Sequence, residues 1–203
     1  DSMASTDEIM NQALTFFVAS FETTANSLFW TLYLLLKNNS YIEKIQDDIG
    51  HIDFDLKSIS GLQRIRWVDL VLKESMRLYP PAWFRSRLCA KDTKIGQFNV
   101  PKGSTVWAAI YLIQRNPKQW NNANQFYPDR FLADYDKYAY IPFGGGKNLC
   151  IGKTLSIMEL TIILRELFSR YDLNLKSNDI VKPKASITLG PLNDIKCSFT
   201  SRA

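Results

Sequence analysis

The feature that most constrains this chain is its opening segment. Residues 13–36 run for 24 positions with a single charge, Glu22. Ser5-Thr6-Asp7-Glu8 has the S-x-x-E spacing of a capping box, and Asn38-Asn39-Ser40 supplies a stop. The spacing predicts one helix from Ser5 to about Lys37, roughly 50 Å long at ~1.5 Å per residue. A stretch of this length can cross a bilayer. Its middle, Glu22-Thr23-Thr24-Ala25-Asn26-Ser27, is polar and costly in lipid. A helix buried through the core of a protein fits better. The chain has 203 residues, 46% hydrophobic and 22% charged, enough to bury a core as one globular domain.

Further along, helices are predicted near Tyr41–Ile49, Trp67–Leu78 and Ile151–Tyr171. The last places Leu155, Met158, Ile162 and Leu167 toward one side. Thr93–Val100 and Thr105–Ile110 read as strands joined by the Pro101-Lys102-Gly103 turn. Ile195–Phe199 reads as a half-buried strand after a Gly190-Pro191 turn. Residues 114–139 read as mostly irregular, and loops of that length are usually functional or ligand-packed. There are no repeats and no low-complexity linker.

The chemistry concentrates in Phe143-Gly144-Gly145-Gly146-Lys147-Asn148-Leu149-Cys150-Ile151-Gly152. Glycines let a backbone pass flat against a bulky planar group and take φ angles other residues avoid. Cys150 then meets a helix N-terminus, where free N–H groups and the helix dipole favour a thiolate. Such a thiolate suits nucleophilic catalysis or a metal. The plainer alternative is a small buried hydrophobe in a tight turn. A phosphate loop is disfavoured, because Lys147 stands where that motif requires glycine and Pro142 argues against a central strand before it.

Two other segments carry polar constellations. Glu74 and Arg77 are three apart, share one helix face and can pair, and Pro80-Pro81 stops their helix. Phe126-Tyr127-Pro128-Asp129-Arg130-Phe131 presents an arginine from a proline-pinned loop between aromatics.

In this order the segments resemble the haem-binding half of the cytochrome P-450 family, the haem-thiolate monooxygenases. The family's F-x-x-G-x-R-x-C-x-G is matched by Phe143, Gly146, Cys150 and Gly152, and its E-x-x-R by Glu74 and Arg77. Its P-x-R-F loop is similar to Pro128-Asp129-Arg130-Phe131, and its A-G-x-[DE]-T-T to Ala19-Ser20-Phe21-Glu22-Thr23-Thr24. Two positions depart. Asn148 stands where the family has an arginine or histidine reaching a haem propionate, with Lys147 as a neighbouring cation of poorer geometry. Ser20 replaces the glycine at which the family's long helix bulges.

The resemblance implies a mainly α fold with small antiparallel β-sheets, the C-terminal part of the family's single domain, with a long central helix and a cysteine loop. It implies haem b (iron protoporphyrin IX) with Cys150 as axial iron ligand, a thiolate that favours O–O cleavage. It implies insertion of one oxygen atom from O2 into a C–H bond of an apolar substrate, with Glu22 and Thr23 delivering protons. Glu74, Arg77 and Arg130 would form a buried ionic triad. Arg87 would reach a propionate, with Arg85 its close competitor. Ala82, Trp83, Phe84 and the Leu189–Leu192 turn match substrate-contact positions, and the run 78–83 is similar in flavour to sterol and fatty-acid hydroxylases. Lipid or xenobiotic oxidation, an electron-donor reductase and a membrane site on the cytosolic face of the endoplasmic reticulum complete the expectation for the full-length protein. The expected membrane anchor precedes the residues present here. The alternative is a truncated, non-catalytic haem-binding fragment. In that case Phe16, Phe17, Phe21, Phe29 and Trp30 would lie exposed.

Composition narrows the remaining classes. Cys89, Cys150 and Cys197 show no paired spacing, which suggests a reducing compartment. With His51 as the only histidine, a histidine-rich metal site or Ser-His-Asp triad is poorly supplied. A net charge of +5 favours an acidic electron donor or an anionic membrane surface. The basic residues are scattered and form no stripe, so nucleic acid is not expected. Asp1-Ser2-Met3 does not begin a signal peptide.

Overall fold

The computed structural model describes residues 4–51, 65–177 and 180–202. Helix α1 spans Thr6–Leu36. The capping box closes at its start: Glu8 N–H donates to the Ser5 hydroxyl, and Ser5 N–H donates to Glu8 Oε2 at 2.7 Å. The Ser5 N–H bond, and after it the Ser5 hydroxyl donating to the same oxygen at 3.1 Å, hold the Glu8 carboxyl below its ordinary pKa. The helix is unbroken through its polar middle, where the hydroxyls find their partners on its own carbonyls. Thr23 Oγ1 donates to Ala19 O at 2.7 Å, Ser27 to Thr23 O at 2.9 Å and Thr31 to Ser27 O at 2.7 Å. Ser20, at the departure from the family pattern, donates to Phe17 O at 3.3 Å. Among the described residues no helix is long and apolar enough to cross a membrane.

Only the second half of α1 is buried. Its neighbours are α2 (Asn39–Gly50), α3 (Arg66–Leu78) and α5 (Lys153–Arg170). Trp30, Leu35, Ile45, Val68, Val71, Leu160, Leu164 and Phe168 form the centre of the core. Trp30 stacks on Tyr79 with ring centroids 3.9 Å apart. Residues 6–21 of α1 are exposed. Phe16, Phe17 and Phe21 are therefore open, as expected, but Trp30 is fully buried and Phe29 is half-buried against the core. The buried face of α5 also differs from the expected one. Leu155 is exposed, whereas Leu160, Leu164 and Phe168 face the core, since α5 meets the bundle mainly past its second turn.

The sheets are small and antiparallel. β1 (Arg85–Leu88) pairs with β4 (Thr105–Ala108), Arg85 opposite Ala108. The single strand expected at 93–100 is instead a hairpin of β2 (Thr93–Ile95) and β3 (Phe98–Val100), folded at Gly96. β4 ends at Ala108, short of the expected Ile110, which begins the short helix α4 (Ile110–Ile113). Pro101-Lys102-Gly103 thus leads β3 away to a strand that pairs elsewhere. β5 (Tyr171–Leu175) pairs with β8 (Cys197–Ser201), two residues later than the expected tail strand. Gly190-Pro191 is not a turn: it lies in β7 (Leu189–Pro191), paired with β6 (Pro183–Ala185), and the bend is at Ser186–Thr188. Residues 114–139 are irregular apart from a 3-10 turn at Pro128–Leu132. They cover a second cluster of Leu70, Trp120, Ala123, Phe131 and Ala139 on the other side of α3. The loop expected between α2 and α3 lies mostly outside the described residues.

Candidate functional site

The site's foundation is a buried charge network on α3. Glu74 and Arg77 are both fully buried. Arg77 donates to Glu74 through Nε at 2.6 Å and Nη2 at 2.9 Å. Its remaining hydrogens go to the carbonyls of Gln114, Ala123 and Gln125. The guanidinium fork is thereby saturated. Arg130 Nε donates to Glu74 Oε1 at 3.0 Å, and Tyr127 N–H joins the same oxygen at 2.9 Å. The structure thus brings Glu74, Arg77 and Arg130 together and fastens the irregular segment to α3. Desolvating charges this deep costs several kcal/mol per ion, offset here by four hydrogen bonds to the Glu74 carboxylate and by all five Arg77 hydrogens finding acceptors.

From that foundation the chain runs to the cysteine loop. Gln114 is fully buried. Its Nε2 donates to the carbonyls of Met76 and Arg77, and its Oε1 accepts from Ile141 N–H at 2.8 Å. It fixes the entrance of the loop to the end of α3. Gly144 and Gly146 sit at φ +74° and +62°, the left-handed region where side chains are strained. A Cβ at Gly144 would stand 3.8 Å from the Arg85 guanidinium carbon. Cys150 N–H donates to Phe143 O at 3.0 Å, which closes the loop on itself. Phe143 is half-buried against the core.

Cys150 is a free, half-buried thiol. Gly152 caps α5 without a side-chain cap, so amides of the first turn face the loop. The Cys150 Sγ lies 3.9 Å from where a Cβ would stand at Gly152, close to that helix end. Lys147 and Asn148 sit in the exposed 3-10 turn just before it.

The middle of α1 reaches the same helix. Thr24 Oγ1 and Ser156 Oγ are 3.4 Å apart. One turn before Asn26, the Glu22 carboxylate accepts from Thr188 Oγ1 at 2.7 Å. Thr23 is half-buried beside it. The two apolar segments also converge. Trp83 Nε1 donates to Ser186 O and Leu189 N–H to Pro81 O, both at 2.9 Å. Ala82, Trp83 and Phe84 therefore lie beside the β6–β7 hairpin. Of the two arginines, Arg85 is the one against the loop. Arg87 is exposed on β1 and donates to its neighbour's carbonyl, Ser86 O, at 2.8 Å.

The residues fit a haem by their donor set. Among the described residues no three His, Cys, Asp or Glu side chains cluster to hold a bare metal ion. One thiolate donor suits a metal that brings its own equatorial ligands. No Cβ obstructs the loop at Gly145 or Gly146, and a guanidinium beside Gly144 suits a propionate.

Sequence reasoning missed Gln114, Asn26 and Thr188. Gln114 follows the apolar run Ile110–Ile113 and carries no signal of its own; Thr188 is 166 positions from its partner Glu22.

The fold is mainly helical with small antiparallel sheets, and it presents one cysteine from a glycine loop at a helix start. The sequence pattern of the family described as Cytochrome P450 matches residues 1–197, and the chain belongs to that family. It is 35% identical over 188 residues to a cytokinin hydroxylase of Arabidopsis thaliana, covering 90% of this chain and 36% of that protein. It is 31% identical over 205 residues to Cytochrome P450 714C2 of Oryza sativa subsp. japonica, covering 95% and 38%. It is 29% identical over 198 residues to Cytochrome P450 3A11 of Mus musculus, covering 90% and 39%. The chain thus spans less than two fifths of the length of these curated relatives.

Proposed function

We propose that this chain is the haem-binding portion of a monooxygenase domain, and that the complete protein inserts one oxygen atom from O2 into a C–H bond of an apolar substrate. The observation that carries the reading is the meeting of α1 and α5. The hydroxyls of Thr24 and Ser156 join the acid–alcohol segment to the helix that begins beside Cys150.

Haem b, when bound, supplies the oxygen-activating chemistry. Cys150 would hold it through Sγ, with the first-turn amides of α5 tempering the thiolate charge. Phe143, Gly144 and Gly146 would face it, Gly152 would start the helix behind it, and Arg85 or Arg87, with Lys147 and Asn148, would meet its propionates. Glu22 and Thr23 would hold and pass protons. The Thr23 hydroxyl gives its hydrogen to Ala19 O, leaving its lone pairs to accept one. Glu22 Oε1 is occupied by Thr188, and among the described residues Oε2 has no hydrogen bond. Trp83, Phe84 and Leu189 would exclude water from the reacting carbon. Their apolar character supports a lipid or xenobiotic substrate. Electrons would come from a reductase, and the net charge of +5 suits an acidic donor. Location at the cytosolic face of the endoplasmic reticulum rests on the family resemblance.

The test is isotopic. The complete gene product, with a reductase and a mixture of fatty acids and sterols under 18O2, is expected to yield hydroxylated product carrying one 18O. Oxygen drawn from water instead, or no product from any apolar substrate, would contradict the reading. A second reading, binding of haem without turnover, is favoured for the 203-residue chain by itself by the open apolar half of α1.

A further inference from the structure

Glu22, Asn26 and Trp30 are spaced by four and share one stripe of α1. All three hold the β6–β7 hairpin. Trp30 Nε1 donates to Leu189 O at 2.9 Å. Asn26 Nδ2 donates to Thr188 Oγ1 at 2.9 Å, and Thr188 Oγ1 donates to Glu22 Oε1 at 2.7 Å. A Cβ at Gly190 would stand 3.2 Å from Asn26 Oδ1, so the hairpin approaches the helix about as closely as glycine allows. Thr188 is buried at 6% exposure, whereas Glu22 is exposed. The bond therefore ties a carboxylate that solvent would leave mobile to a fixed hydroxyl. A threonine hydroxyl carries one hydrogen, and an amide nitrogen can only donate. With Asn26 donating to it, the Thr188 hydrogen is directed to Glu22.

We propose that Thr188 is a positioning residue that aims the Glu22 carboxylate, so that the turn carrying Ile187 and Leu189 sets where the free oxygen of the acid stands. Apolar contact at that turn and proton delivery from α1 are then mechanically joined. The inference rests on the reading of Glu22 as the proton-delivering acid. The rival role for Thr188 is packing by its methyl group, and two substitutions separate them. Thr188→Val keeps the volume and loses the hydroxyl; Thr188→Ser keeps the hydroxyl and loses the methyl.

The experiment uses the complete gene product loaded with haem, an NADPH-dependent reductase and an apolar substrate that it hydroxylates. It reads three quantities: the thiolate–carbon monoxide band, product formed per NADPH, and deuterium exchange of amides 184–190. In Thr188→Val the band is expected to persist, product per NADPH to fall about tenfold, less than the roughly 10²–10⁴-fold that a general acid contributes because the carboxylate is misaimed and not removed, and hairpin exchange to rise. Thr188→Ser is expected to restore the last two to near the wild-type values. Glu22→Gln keeps an acceptor for Thr188, so its hairpin should stay protected while product per NADPH falls, and this variant decides the matter if Thr188→Val fails to load haem. The proposal is overturned if Thr188→Val matches wild type in coupling, if Thr188→Ser is as impaired as Thr188→Val, or if Glu22→Gln frees the hairpin. A wild type with neither thiolate band nor product overturns the reading of the site and the role of Glu22 with it. The exchange comparison distinguishes that failure from a missing Thr188–Glu22 bond.

Discussion

Glu74→Ala in the complete gene product is expected to lower stability by about 3–5 kcal/mol and to abolish haem loading, because it leaves two buried guanidinium groups without their carboxylate. Arg77 has no exposure and Arg130 only 7%. Both guanidiniums lie against the Trp120 ring, 5.3 and 5.7 Å from its centroid. Tyr127 N–H, part-buried, would lose its acceptor as well. The conservative Glu74→Gln keeps oxygen and volume but loses the charge, and should be impaired less than the alanine variant. Urea unfolding and haem content measure the effect. A loss below about 1 kcal/mol in Glu74→Ala, in the range of an exposed ion pair, would show that the network does not hold the loop to α3.

The 203-residue chain alone is expected to self-associate and to bind haem weakly without turning over substrate. The cause is the open half of α1. Phe17 and Phe21 are 74% and 75% exposed, and Ile9, Met10, Leu14 and Val18 are exposed with them. Contiguous apolar surface of more than a few hundred Å² drives association. Sedimentation should show species larger than a monomer, and Phe17→Glu with Phe21→Glu should shift them toward the monomer. Both positions lie outside the core, so the helical content should be unchanged. A wild-type chain that is monomeric and hydroxylates an apolar substrate with reductase would contradict the expectation.

The sequence made helices more legible than sheets. The capping box, Pro80-Pro81 and the glycine loop each carry their stop or start signal within four residues, so α1, α3 and α5 begin and end near the expected positions. β1 was not legible: Arg85-Ser86-Arg87-Leu88 alternates two charges with one apolar residue and shows no buried face. Its partner β4 lies across the β2–β3 hairpin, so no adjacent turn announces the pairing. The inward face of α5 was misjudged because its periodicity permits several stripes, and tertiary contact with the core chose Leu160, Leu164 and Phe168. At the site, the residue types Glu74, Arg77 and Arg130 were readable. The carbonyls of Gln114, Ala123 and Gln125 that saturate Arg77 were not, because main-chain acceptors carry no sequence signal. The Thr188–Glu22 bond was hidden by distance along the chain.

The proposed function turns on the Cys150 thiolate as the haem ligand. Its most direct measurement is the spectrum of the reduced, carbon monoxide-bound complete protein beside that of Cys150→Ser. A red-shifted Soret band of thiolate ligation is expected in the wild type, with its loss in Cys150→Ser and its retention in Cys89→Ser and Cys197→Ser. A Cys150→Ser protein that keeps the red-shifted band would rule out Cys150 as the ligand.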